Sequence, residues 1–256
     1  MLSQQDLYSA RQHGKDDIDA LFSTFMLLPI RYSATDDHTP EKSWIFSMSN
    51  DDKPYDLFAQ WVFSCGGLEQ ILAKFNGYPQ DSIWLPVIRD SDDHLGTFSD
   101  VTPGTRGIPA PFVSLCELDD TSTPDNNPYH HPLRFLSALL RLDMSSAAFT
   151  KVATFMRVIR GSFKDLLLQK DRRALLILAF WFALLYRTDQ WWIQDRARTE
   201  CQAICMFLEL LGDRRIIQLL EFPALVCGYE LSASYVVNES PINFVVGYQG
   251  FDPSAV

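Results

Sequence analysis

Between residues 55 and 75 the apolar side chains fall at 57, 58, 61, 62, 65, 68, 71, 72 and 75, the period of one face of an α-helix. A helix is expected there, with Phe58, Trp61, Cys65 and Leu72 turned inward. Gly66 and Gly67 interrupt it. Each costs about 1 kcal/mol against alanine, so a close helix contact, a kink or a space left for a ligand are the candidate reasons. From Pro132 onward the pattern is helical almost without a break: Pro132 to Leu142, Ser145 to Gln169, Arg172 to Arg187, Trp191 to Leu211 and Arg214 to Glu221. The short linkers favour antiparallel neighbours in a bundle. Asp171 is placed to cap the third of these helices, and Asp143 or Ser145 the second. The third helix is apolar on every side and has to be surrounded by the others.

The rest of the chain is patterned differently. Ile18 to Leu28 follows an acidic start and ends at Pro29, which predicts a helix. A short segment from Trp44 to Met48 follows, with Ser43 as its candidate cap. Residues 76–128 carry frequent Pro and Gly and an acidic run at Asp90 to Asp93, so most of this stretch is expected to be loop. Connections of that length tend to be functional, as a lid, or disordered. Short helical turns at Ile83 to Ile88 and Phe112 to Leu118 would pin it. The tail over 232–256 contains SASYVVN and INFVVGYQG with Pro241 between them, which fits a two-stranded hairpin or an extended arm equally well. The fold expected is a single all-α domain, a helical bundle around a central apolar helix, with no internal repeat.

Composition narrows the classes of function. Apolar residues make up 47% and charged residues 21% of the 256, so a folded domain is expected over disorder. A formal net charge of -10 argues against nucleic acid as a partner, because that affinity comes largely from Lys and Arg displacing counterions. Arg157, Arg160 and Lys164 lie at helical spacing and suit a solvated face. Five cysteines preclude a complete disulfide set and fit a reducing compartment. Cys201 and Cys205 are four apart on a helix but lack a second pair of ligands, so packing is expected and no metal. The N-terminal stretch has no apolar signal core. The longest apolar run, Ala174 to Tyr186, is thirteen residues, short of the roughly 20 needed to span a membrane. An intracellular protein, cytoplasmic or nuclear, without a membrane span is expected.

Signatures of common catalysts are missing: there is no G-x-S-x-G, P-loop, G-x-G-x-x-G or H-E-x-x-H. The acidic pairs Asp16-Asp17, Asp36-Asp37, Asp51-Asp52, Asp92-Asp93 and Asp119-Asp120 fall in predicted loops or at helix starts, not on a helix facing a cavity as a metal-dependent terpene cyclase requires. His130 and His131 begin a predicted helix, and histidine suits proton transfer near neutral pH, although local structural hydrogen bonding explains such a pair as well. Trp181, Tyr186, Trp191 and Trp192 cluster on the central helical hairpin. Rings at helical spacing usually form core, yet six tryptophans and eighteen phenylalanines also suit a pocket that is apolar and orienting.

The stretch ALLILAFWFALLYRTDQWW, Ala174 to Trp192, resembles the C-terminal regulatory domains of fungal zinc-cluster transcription factors of the sterol-uptake control type, with their Ala-Leu-rich helix, polar turn and Trp-Trp pair. SWIFSMSNDDKPYDLFAQWVFSCGGLEQIL, Ser43 to Leu72, is similar to the upstream helices of that family, and the likeness spans roughly residues 40–225. It implies an all-helical fold with a hydrophobic pocket for a sterol or similar ligand. The six-cysteine zinc cluster of the family has no counterpart here, and the tail from Ser232 departs from the pattern.

Because no output module is seen, the leading expectation is a stand-alone, cofactor-independent cyclase, a pericyclase of Diels-Alderase type acting on a terpenoid or polyketide in fungal secondary metabolism. Holding a substrate folded for ring closure removes barrier without a cofactor. Phe58, Trp61, Cys65, Phe155, Met156, Trp181 and Trp192 would line the pocket, and Tyr186 or His130 would polarise a substrate carbonyl. The alternative is an effector-sensing regulatory module that binds a sterol-like molecule and does not itself bind DNA. A helical interaction scaffold with a solid core is a third reading, and a homodimer is compatible with all three.

Overall fold

The computed structural model describes residues 39–46, 82–86 and 100–232, together with Asp16, Asp17, Asp19, Ala20, Ser23, Thr24, Leu27, Ile30 and Val62. Among the described residues the fold is all-helical with no strand. Seven α-helices follow one another: α1 (Ala110–Leu115), α2 (His130–Leu139), α3 (Phe149–Ala153), α4 (Gly161–Leu168), α5 (Arg172–Tyr186), α6 (Gln194–Leu210) and α7 (Arg214–Cys227). Helical turns of the tighter 3-10 kind occur at Pro40–Lys42, Trp44–Phe46, Ser146–Ala148 and Thr154–Val158. Of the expected N-terminal helix, Asp19, Ala20, Ser23, Thr24 and Leu27 are helical, and the pattern reaches Ile30 beyond Pro29. Of the helix expected over 55–75 only Val62 is described, helical and buried; the 233–256 tail lies outside the described residues.

Helix α5 is the axis of the bundle. Every residue from Ala174 to Leu185 is buried, as its uninterrupted apolar sequence requires. Asp171 caps it as expected, accepting from the backbone N–H of Arg173 and of Ala174, and it also accepts a hydrogen bond from the Tyr129 hydroxyl at 3.0 Å. Helices α6 and α7 pack against α5 and each other. Small side chains at Ala197, Cys201, Ala203 and Cys205 are completely buried, which lets the α6 backbone approach closely. The Cys201 Sγ lies 3.5 Å from the Ala179 carbonyl of α5 and 3.6 Å from the Pro223 carbonyl of α7, and the Phe180 and Phe222 rings stack at 5.1 Å.

The helix expected over Pro132 to Leu142 runs from His130 to Leu139 and the turn expected over Phe112 to Leu118 from Ala110 to Leu115; three further boundaries differ from the pattern in the sequence, each for a local reason. The helix expected over Ser145 to Gln169 is broken into α3, a 3-10 turn and α4; Arg160 is extended and Gly161 takes a positive φ of 51°. The β-branched pair Val158 and Ile159 followed by glycine does not sustain a helix there. Helix α7 continues past Glu221 to Cys227, with Pro223 buried inside it. The lost N–H of that proline falls in a segment held by packing on α5 and α6. Helix α6 starts at Gln194, since Trp191 to Ile193 are taken up by the turn from α5.

The turn at Trp44–Phe46 is seated on α6 by polar contacts. Ser43 Oγ donates to Glu200 Oε2 at 2.6 Å, and Arg196 donates through Nε to Glu200 Oε1 at 3.0 Å. Arg196 and Glu200 are nearly or wholly buried, at 4% and 0% exposure. Ser43 also takes its expected capping position, where the Ile45 N–H approaches its hydroxyl at 3.4 Å. Phe46 meets Phe207 edge to face at 6.0 Å.

Removing a carboxylate from a buried guanidinium is far more damaging than losing an exposed ion pair, so Glu200→Ala should lower the unfolding free energy by about 3–5 kcal/mol. Asp171→Ala, which removes a helix cap, should lower it by about 1 kcal/mol. Urea unfolding of the two variants and the parent measures both, and similar losses for the two substitutions would contradict this ranking.

Candidate functional site

Among the expected pocket residues, Trp181 and Phe155 lie together at the centre of the bundle. Their rings stack at 5.7 Å with 23° between planes, Phe182 lies 4.8 Å from the indole, and Phe135 of α2 meets Phe155 edge to face at 5.7 Å. Both Trp181 and Phe155 are 0% exposed. The indole Nε1 donates to the Val152 carbonyl at 2.8 Å, beside the point where α3 tightens into the 3-10 turn. Indole in a dry core needs such a partner. Trp181 and Phe155 are therefore buried rings of the core, packed on each other and flanked by Phe182 and Phe135.

Met156, Tyr186 and Trp192 form the edge of that core. All three are half-buried and pack against it. Trp192 meets Phe149 edge to face at 5.6 Å, and Gln190 Nε2 reaches the Ser146 carbonyl at 3.5 Å, so the turn after α5 rests on the start of α3. Trp191 in the same turn is 78% exposed. This aromatic rim, made by the Trp-Trp pair and Tyr186 at the C-terminal end of α5, is the part of the expected site that is open to a ligand. Phe58, Trp61 and Cys65 lie outside the described residues.

His130 lies at the opposite end of the bundle. Helix α2 begins with it, and the neighbouring Tyr129 bonds to Asp171 at the N-terminus of α5. The His130 side chain is fully buried; Nε2 lies 3.1 Å from the Gly104 carbonyl. A carbonyl only accepts, so the proton is assigned to Nε2; Nδ1 is buried with no hydrogen-bond partner. Burial pushes the His130 pKa down, the Gly104 carbonyl opposes that shift, the Arg134 cation adds to it and Asp100 opposes it. His131 is also lowered, by burial, by the Arg160 cation and by the neighbouring His130 imidazole, against Asp100. Gly104 sits at φ +91° with the Asp120 carbonyl 3.3 Å from where a Cβ would lie, so glycine is required where the carbonyl is presented to the ring.

Tyr186 and His130, the two candidate polarising groups, are thus not brought together. The intervening length of α5 is fourteen residue steps, roughly 20 Å at 1.5 Å each.

The remaining sequence candidates have structural employment. Asp119 accepts from the Thr121 N–H and hydroxyl and from the Ser122 hydroxyl, which fixes a turn. Cys116, Cys201, Cys205 and Cys227 are buried free thiols. Burial pushes Cys116 up to about 12 and holds Cys201 well above an ordinary thiol, the opposite of what a nucleophilic thiolate needs. Among the described residues no group of three His, Cys, Asp or Glu is arranged to hold a metal. Sequence reasoning missed Arg134, whose Nη1 donates to the Gly104 and Arg106 carbonyls at 3.3 and 3.2 Å and whose Nη2 pairs with Asp100. Its only signal was its place one helical turn after His130.

Two measurements check this account. The unfolded chain protonates histidine near the ordinary value of 6.5, whereas folded His130 and His131 resist it. The folded state therefore loses stability as pH falls below that value, and above it neither state is charged and the contribution is flat. In His130→Gln the fall between neutral and mildly acid pH should be shallower, measured by chemical unfolding across that range. Trp181→Phe leaves the buried Val152 carbonyl without its indole donor and should cost about 1–3 kcal/mol, with an unchanged stability arguing against the bond. Comparison with protein-family models, with curated proteins and with solved structures gives no match for this chain.

Proposed function

We propose that this chain is an effector-binding regulatory module, which takes a hydrophobic, sterol-like small molecule at the aromatic rim beside α5 and does not itself bind DNA. The observation that carries the proposal is the rim: an indole left 78% exposed in the same turn as half-buried Trp192, a few residues after half-buried Tyr186 and at the end of a helix whose residues from Ala174 to Leu185 are all buried. Exposed tryptophan beside partly covered rings supplies flat apolar surface with a polar handle, which suits a rigid, greasy ligand carrying one hydroxyl. The resemblance of Ala174 to Trp192 to the sterol-uptake control type of regulatory domain supports the same ligand class. A formal net charge of -10 supports the absence of direct nucleic-acid contact.

Sensing is favoured over ring closure by what surrounds the two polarising candidates. His130 is sealed and already engaged on Gly104, and Tyr186 stands roughly 20 Å away along α5, so a cyclase built on these residues would have only one of them in its pocket. Phe155 and Trp181, expected to shape an enclosing cavity, are wholly buried and stacked on each other.

Binding of ergosterol to the full chain, followed by quenching of tryptophan fluorescence, tests the proposal. Saturable quenching should weaken at least tenfold in Trp191→Ala, which removes an exposed ring and leaves the core intact. Recovery of the ligand by native mass spectrometry with unchanged mass and chromatographic retention is expected. No saturable binding of ergosterol, or binding indifferent to Trp191→Ala, would overturn the rim as the site. Conversion of a bound polyene to an isomer of equal mass and altered retention would replace sensing with cyclisation.

A further inference from the structure

Along α2 lies a cleft of about 300 Å³ walled by Arg106, Arg134 and Arg141, with Asp100, Ile108 and Leu142 among its other residues. Three guanidiniums face one carboxylate there, in a chain whose formal net charge is -10. Like charges are brought together at a cost that has to be offset by their surroundings. Here the offset comes from the main chain. Arg134, whose side chain is only 8% exposed, is held by the carbonyls of Gly104 and Arg106 and by Asp100, and its Nε is buried with no hydrogen-bond partner. Arg141 Nη2 donates to the Gly107 carbonyl at 2.7 Å. Gly107 takes a φ of +87°, and a Cβ there would come within 3.2 Å of that same guanidinium nitrogen, so the residue type and the backbone conformation both make room for the cation. Neither Arg106 nor Arg141 has an ion-pair partner among the described residues.

Carbonyl oxygens fix the orientation of a guanidinium without neutralising it. The cleft thus keeps a net positive charge, from three cations against Asp100, with the Arg134 and Arg141 side chains already held in place. Fixed, forked donors of this kind match the two oxygens of a carboxylate. Asp100 against Arg134 shows the chemistry the cleft accepts, supplied by the chain itself. Ile108, Ala138 and Leu142 add apolar wall. A second cleft of about 190 Å³ shares Arg141 and Leu142 and is lined further by Leu140, Met144, Leu184 and Phe222, with Asp143 and Arg187 as its other charged residues.

We propose that this cleft is a binding site for a small organic carboxylate with an apolar body, its acid group between Arg106 and Arg141 beside Arg134 and its hydrocarbon along Ile108 and Leu142. The site is separate from the aromatic rim and stands whether or not that rim takes a sterol.

Isothermal titration of the full chain with octanoate, 1-octanol and inorganic phosphate tests it. Octanoate binds with one-to-one stoichiometry, and 1-octanol and phosphate each bind at least tenfold more weakly, because one lacks the charge and the other the apolar body. Arg106→Gln and Arg141→Gln, both at exposed residues, each weaken octanoate at least fivefold with an unchanged far-UV circular dichroism spectrum, and the double variant abolishes it. Trp191→Ala leaves octanoate affinity unchanged, which separates this site from the rim. Absence of saturable octanoate binding, equal affinity for 1-octanol or for phosphate, or a double variant that binds like the parent would each overturn the proposal.

Discussion

A fifteen-residue helix that is apolar on every side sets the terms for this fold. An amphipathic helix can leave one face in water, but α5 cannot, so every neighbouring segment is recruited to cover it. Small residues of α6 allow one close approach, Phe222 of α7 covers another side, and the 3-10 turn at Thr154–Val158 brings Phe155 over Trp181. Enclosing an indole also means enclosing its N–H. The acceptor is the Val152 carbonyl, next to the place where α3 stops being an α-helix, so a polar need of α5 and an irregularity in a neighbouring segment meet at one atom.

Much of this was legible because it is written in local pattern. The thirteen-residue apolar run could only be central, Asp171 stood three residues before it as a cap, and the α6 cysteines sat in an apolar stripe. What the sequence did not disclose depends on contacts between distant segments. Val158, Ile159 and Gly161 weaken a helix, but apolar periodicity continues across them, and periodicity alone reads on to Gln169. Pro223 looks like a stop, yet burial on two sides keeps α7 going past it. Arg196 and Glu200 are visible as an i, i+4 pair, which by itself suggests a solvated face. Only Ser43, 157 positions away, reveals that the pair is buried.

The candidate site divides along the same line. Aromatic content pointed correctly to the hairpin at Trp181 and Trp192 as the place where rings gather, without distinguishing the rings that fill space from those at the edge. That distinction follows from where α5 ends: residues within it are enclosed, and those in the turn after it are covered only as far as α3 and the Ser146–Ala148 turn reach. His130 drew notice for its chemistry and lies buried with Nε2 against the Gly104 carbonyl, a contact that holds the ring in the tautomer with its proton on that nitrogen.

Helix α2 joins the core to the loop over residues 104–107. Leu133, Leu136 and Leu139 face inward, while His130, Arg134 and Arg141 reach back to the carbonyls of Gly104, Arg106 and Gly107. A segment expected to be mostly loop, as a lid or disordered, is, over residues 104–107, bound to the helix by its own main chain. Turning those carbonyls toward α2 satisfies donors that carboxylates would otherwise have met, so the order of the loop and the positive charge of the cleft are two results of one arrangement. An anion that requires the cations in this geometry would necessarily favour the docked loop, by the ordinary linkage between binding and conformation. The loop and the cleft therefore cannot vary independently: loosening one removes the other.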